Sequence, residues 1–398
     1  MDTQEHTTTL LAQYQATRAY SELLCQPLNA EDYQPQPVDF ASPPKWHLSH
    51  ITWFFEEMIL KEFAANYQPF NEAFSFLFNS YYQTVGERAV RAERGAITRP
   101  TVSEVYAYRK HVDEQMALLL EKPASPALEE LVILGINHEQ QHQELLITDL
   151  KHTFSLNPLH PVYKSDGDRT ADQNTSSGWI NMKEGIYEIG HTGKGFSFDN
   201  ELGRHRVFLD NYEIADQLVT CGEYLEFIEA GGYQNFKYWL DEGWSWVTKN
   251  QITAPLYWKK TKDKKNNWSQ YTLAGLKKIN PKAILSHISF YEAQAYATWR
   301  NLRLPTEFEW EAAAEKFDWG KRWEWTYSAY LPYPGFKIAD GAVGEYNGKF
   351  MVSQMVLRGS SVATSAGHER STYRNFFHPK YRWQYTGIRL ARSVQKKG

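Results

Sequence analysis

His138-Glu139-Gln140-Gln141-His142 stands inside residues 131–151, a proline-free stretch of strong helical character. On a helix, positions i and i+4 project from one face, so His138 and His142 can close on one metal ion. The string fits H-E-x-x-H, a zinc-protease signature, and it fits other metal sites as well. The rest of the chain has to decide between a hydrolase, an oxygenase and a purely structural pair.

Two histidines need at least one further ligand. Glu144 suggests a two-His-one-carboxylate triad, but two residues beyond His142 is a turn of about 200°, so it points away. Glu139 is one residue round, suited to a base or to solvent. A better source is a facing helix, and Trp46-His47-Leu48-Ser49-His50 opens one, directly after Pro27, Pro35, Pro37, Pro43 and Pro44. His47 and His50 are about 300° apart and cannot both face one spot. A three-histidine site with open positions results, its third ligand being either of these two. The bland alternative is that such a histidine caps a helix or satisfies a buried polar group. An H-E-x-x-H-x-x-G-x-x-H protease is excluded, because Leu145 and Thr148 stand where Gly and His are needed.

Working outward, residues 9–24, 46–63, 101–122 and 126–154 read as helices, with Thr101 or Ser103 as a cap. Four helices and one long connection predict a four-helix bundle. The connection, residues 80–100, lacks periodicity and holds Tyr81, Tyr82, Arg88, Arg91, Arg94 and Arg99. Arginine forks suit a carboxylate and tyrosine suits proton donation, although a solvated loop explains any one arginine equally well. Residues 165–178 are polar and read as linker. From Trp179 the pattern changes to short apolar pieces broken by Gly, Asn and Asp. Two helices are expected there, 221–230 after Thr220 and 289–301, the latter behind a strand-like 284–288. That is an α+β pattern. The expected organisation is a helical metal-carrying domain over 8–160, a linker over 161–178 and an α+β domain over 179–396 that completes the active site.

Composition narrows the partners. The 398 residues exceed one ordinary core, and 43 basic against 47 acidic side chains give a net charge of −4. Nucleic acid and a polybasic membrane contact are not expected. No apolar run has transmembrane length and residues 1–9 are polar, so the cytoplasm is the expected location. Cys25 and Cys221 exclude a disulfide scaffold. Aromatic residues make up 15%, enough to line a pocket for a cationic or flat ligand. The segment 373–392, dense in aromatics and arginine, is a candidate wall, with 388–391 as core strand.

These pieces resemble the non-haem iron sulfoxide synthases of ergothioneine biosynthesis, the hercynine oxygenases. Trp46-His-Leu-Ser-His50-Ile-Thr-Trp-Phe with Glu56 is similar to the first ligand motif and His138-Glu-Gln-Gln-His142-Gln-Glu-Leu to the second. Phe198-Asp-Asn-Glu201, Leu304-Pro-Thr-Glu-Phe-Glu-Trp310, Trp323-Glu-Trp-Thr326, Leu357-Arg-Gly-Ser360 and Thr386-Gly-Ile-Arg-Leu-Ala391 resemble the formylglycine-generating-enzyme type of C-type-lectin fold. The resemblance runs from about residue 10 to 392. It implies a DinB-like four-helix bundle followed by that lectin-like fold, with Fe(II) on His50, His138 and His142. It further implies Gln141 on the substrate imidazole, Tyr81 or Tyr82 as proton donor, and Arg91 and Arg94 on the carboxylate of the sulfur substrate. Trp383 and Tyr385 are expected to wall the trimethylammonium of hercynine. With no cysteine after Cys221, the copper chemistry of formylglycine-generating enzymes is not implied. The γ-glutamylcysteine-using branch has Trp-Asp where this chain has Ala391-Arg392, which with the tyrosine pair favours cysteine as donor. Hercynine, cysteine and O2 are thus the expected substrates. Ovothiol- or selenoneine-type synthesis, a zinc hydrolase and a non-catalytic binding protein are the alternatives.

Overall fold

The computed structural model describes residues 9–80, 89–165, 178–260, 268–338 and 347–394, and these fall into two compact units divided after Phe154.

The first unit is built on four long helices, Leu10–Cys25, Pro44–Phe55, Val102–Leu120 and Pro126–Leu156. Their starts follow from local chemistry. Pro44 occupies the first turn of its helix, where its missing N–H costs nothing. Thr101 and Glu104 form a reciprocal capping box. The second helix runs without a break into a π-helical turn, Glu56–Leu60. There the Glu56 carboxylate accepts the hydroxyls of Tyr67 and Tyr108, both at 2.6 Å. Trp53, Phe54, Phe55, Tyr108, Val112, Met116, Val132 and Ile136 form the core. Gly135 lets two helices meet closely: a Cβ there would lie 2.6 Å from the Phe55 ring. That approach sits one turn before His138 and so sets how near it comes to the Pro44–Phe55 helix.

The second unit is α+β. Its first strand, Trp179–Met182, and its last, Ala391–Ser393, both pair antiparallel with Tyr212–Ala215, which ties the two ends of the unit together. Asn375–Phe377, Met355–Arg358, Trp323–Ala329 and Thr386–Gly387 make a four-stranded sheet whose last pairing is parallel. A hairpin, Gly185–Ile189 with His205–Leu209, and a three-stranded meander complete the sheets. Cys221–Glu229 and Phe290–Trp299 are the two expected helices. Asp241–Lys249 and Glu307–Ala313 are two further ones. Residues 284–288 are not a strand; they make a single bridge, Thr220 with Ile284. Their backbone groups are shared among irregular partners: Leu285 N–H donates to the Val219 carbonyl and His287 N–H to that of Thr386, while the side chains of Arg322 and of Trp325 and Thr386 donate to the carbonyls of Leu285 and Ile288. Among the described residues, no helix is long and apolar enough to cross a membrane.

Candidate metal centre

The Pro44–Phe55 helix carries Trp46, His50 and Trp53 on one face, at i, i+4 and i+7. The His50 ring lies between the two indoles, with centroids 4.5 Å from Trp46 and 5.5 Å from Trp53 and planes within 15°. His50 Nδ1 is 2.7 Å from the carbonyl of Phe78, an acceptor, so Nδ1 carries the proton and donates. Its Nε2 then holds a lone pair. This atom is buried and has no hydrogen-bond partner among the described residues.

That orphaned nitrogen belongs to a cluster. One ligand-capable atom from each of His50, His138 and His142 lies within 4.8 Å of the other two, and the rings are 0, 3 and 8% exposed. Burial pushes the His138 pKa down to about 4. Burial, then the neighbouring His138, holds His50 and His142 well below the usual imidazole range, and the positive charge of Arg94 acts in the same direction on both. The three rings are therefore neutral at pH 7. Three neutral imidazoles with a lone pair unengaged inside the fold fit a transition metal such as iron or zinc.

The remaining histidine of the fork has a different place. His47 Nδ1 is 2.9 Å from His142 Nδ1, and His47 Nε2 is 3.0 Å from the Asp149 carboxylate. His47 thus stands behind His142 and not among the three.

Glu139 corrects a second expectation: it is neither a base in the site nor at the surface. It is fully buried, about 100° round the helix from His138, and accepts from Arg18 at 2.9 Å and Ser21 at 2.5 Å, with Arg109 at 3.4 Å. Burial works to raise its pKa, but Arg18 and Arg109 outweigh it and hold the carboxylate below the usual range. An H-E-x-x-H hydrolase needs this glutamate as general base. Here it is locked in an ion pair.

Arg91 and Arg94 lie on a 3-10 turn, Arg91–Ala96. Arg91 is exposed and donates to the Phe40 carbonyl. Arg94 is buried, with its guanidinium 3.3 Å above the Trp46 ring centre and bonds to the hydroxyls of Ser42 and Ser80. It therefore continues the stack Trp46–His50–Trp53. Gln141 is half-buried, directly before His142 in sequence. Tyr81 and Tyr82 lie outside the described residues. Trp383 and Tyr385 are buried in the second unit, Trp383 packed edge-on against Phe377 and Tyr381 and Tyr385 against His287. The arginines of the C-terminal segment are tied within the same unit: Arg374 to Glu307, Arg382 to Glu292, Arg389 to Glu324 and Arg392 to Glu213. Sequence reasoning missed Asp149 and the two flanking tryptophans. The W-x-x-x-H-x-x-W spacing was the available signal for the latter.

Residues 13–146 match the DinB superfamily, and residues 166–322 match the sulfatase-modifying factor enzyme 1-like domain. The chain is 27% identical over 313 residues to the hercynine oxygenase of Mycolicibacterium smegmatis, covering 66% of this chain and 71% of that one. It is 29% identical over 243 residues to the hercynine oxygenase of Mycobacterium tuberculosis, covering 49% and 56%. The match therefore spans little more than half of the second relative's length. A formylglycine-generating enzyme of Streptomyces coelicolor is 25% identical over 189 residues, covering 42% of this chain and 55% of that one. The chain is thus similar to hercynine oxygenases, with a first half that matches the DinB superfamily followed by a stretch that matches the sulfatase-modifying factor enzyme 1-like domain.

Proposed function

We propose that this protein is an iron-dependent sulfoxide synthase that joins hercynine to cysteine with O2. The observation that carries the reading is the buried trio His50, His138 and His142, neutral and with an unengaged Nε2 on His50, in the DinB-type domain of a hercynine-oxygenase homologue. The overall change balances without an outside reductant. The imidazole C–H and the thiol S–H are lost, the C–S bond forms, one oxygen atom goes to sulfur, and the other leaves as water with both hydrogens.

Fe(II) held by the three imidazoles would supply the redox chemistry and open positions for the reactants. The protein's own groups do the rest. Gln141 is assigned to the imidazole of the substrate. Arg94, with Arg91 on the same turn, is assigned to the carboxylate of the sulfur donor. Tyr81 or Tyr82 is assigned as proton donor, and Trp383 and Tyr385 to the trimethylammonium through their ring faces. These assignments rest on the resemblance, and for Arg94 also on the positive charge it places near His50 and His142.

The test is O2 uptake by anaerobically Fe(II)-loaded protein given hercynine, with cysteine and γ-glutamylcysteine in parallel and products read by mass. A sulfoxide conjugate with cysteine alone is the expected result. Turnover of histidine in place of hercynine, or of a selenium donor, moves the protein to the ovothiol or selenoneine type. No uptake with any pair overturns the reading.

A further inference from the structure

The contact between His47 and His142 joins two like nitrogens, so a single proton must lie between them, and either ring can own it. Asp149 decides the question. Its Oδ2 already accepts the Ser42 amide at 2.8 Å and, as a carboxylate, can only accept from His47 Nε2. His47 therefore carries a proton on Nε2, and a ring with that single proton presents a lone pair at Nδ1. The contact then closes only if His142 Nδ1 holds the proton and donates it. That leaves Nε2 of His142 as the lone-pair nitrogen. The opposite arrangement, with His47 donating from Nδ1, would place the His142 proton on Nε2 and leave no lone pair there for a metal.

We infer that His47 and Asp149 are positioning residues: together they fix the tautomer and ring direction of His142 so that it ligates through Nε2. This rests on the reading that the three-histidine cluster holds a metal. The centre then has two kinds of support. His50 is fixed by a backbone carbonyl, while His142 is fixed by a carboxylate acting through a second imidazole. Outer partners of ligating histidines act in this way generally. Asp149 is anchored in turn. It lies seven residues after His142, on the same helix face, and Ser42, whose amide it accepts, takes a bond from Arg94 on its hydroxyl. One hydrogen-bonded path thus runs from Arg94 to the nitrogen of His142.

Zinc, being diamagnetic, is the probe. In the zinc-loaded full-length protein, long-range 1H–15N correlation should show His142 metal-bound at Nε2, with a hydrogen-bonded Nδ1–H protected from exchange. Asp149→Asn and His47→Phe should each weaken zinc in chelator competition by about 10- to 100-fold, the usual effect of removing an outer partner. Melting of the metal-free proteins separates this from loss of fold. Zinc on Nδ1 of His142 overturns the inference without any variant. So does zinc affinity in both folded variants within about twofold of the parent, well short of that range. If the parent takes up no zinc, the metal centre falls and the positioning role falls with it; if it binds zinc normally and the variants do too, only the positioning role falls.

Discussion

The two sides of the Pro126–Leu156 helix treat burial in opposite ways. On one side, His138 and His142 are buried neutral, gathered with a third imidazole and with a lone pair of His50 left unengaged. On the other, one residue away, Glu139 is buried charged and held by Arg18, Arg109 and Ser21. A buried carboxylate is tolerable only when its lone pairs are answered, and these are. The saturated side is architecture. The other side gathers three imidazole nitrogens that suit a metal.

That contrast can be broken from either side. The largest stability effect is expected on the charged side. Glu139→Ala removes the buried carboxylate that Arg18 and Arg109 share, leaving them only the more exposed Asp113 and Glu22, and the loss of one buried partner costs about 3–5 kcal/mol in denaturant unfolding. Next comes the helix contact that brings the two sides into register. Gly135→Ala forces a methyl against Phe55, for about 1–3 kcal/mol of overpacking, and the displaced His138 should also weaken metal uptake. Acid separates the two sides by pH window, since folding lowers both pKa values and both sides lose stability as pH falls: the imidazoles below 6.5, Glu139 only below 4.5. The folded protein holds its imidazoles below the ordinary 6.5, His138 at about 4, so the unfolded chain binds more protons between those values. Metal-free protein should keep full stability above pH 6.5 and lose it progressively toward pH 4, and the slope should flatten in a His138→Leu variant. The smallest stability change is expected from that same substitution at neutral pH, within about 1.5 kcal/mol for a swap of similar volume. Yet it should abolish metal binding, read by metal analysis after dialysis. If His138→Leu unfolds the protein as Glu139→Ala does, the distinction between the two sides fails.

Much of this was legible in the sequence because it is local. The i,i+4 spacing of His138 and His142 placed them on one face, and the T-x-x-E pattern at Thr101 and Thr220 marked helix starts that form as capping boxes. What was not legible depends on distant partners. His47 and His50 are equivalent by spacing. They part company only because Phe78 offers a carbonyl to one and Asp149 a carboxylate to the other. Glu139 looked available because Arg18, its partner, lies 121 residues earlier. The helix Asp241–Lys249 escaped because Leu240 stands at its N-cap, so it lacks the capping side chain that marked the starts at Thr101 and Thr220. Residues 284–288 are apolar and extended in pattern, but their hydrogen bonds are split between scattered backbone groups and the side chains of Arg322, Trp325 and Thr386, so no ladder forms.

The sandwich of His50 between Trp46 and Trp53 has a consequence in time. Exchanging Nδ1 for Nε2 requires the imidazole to turn edge-on through the space that two parallel indoles fill at 4.5 and 5.5 Å. Ring inversion is thus closed to it on the timescale of side-chain motion. Which nitrogen looks into the cluster is therefore settled when the chain folds.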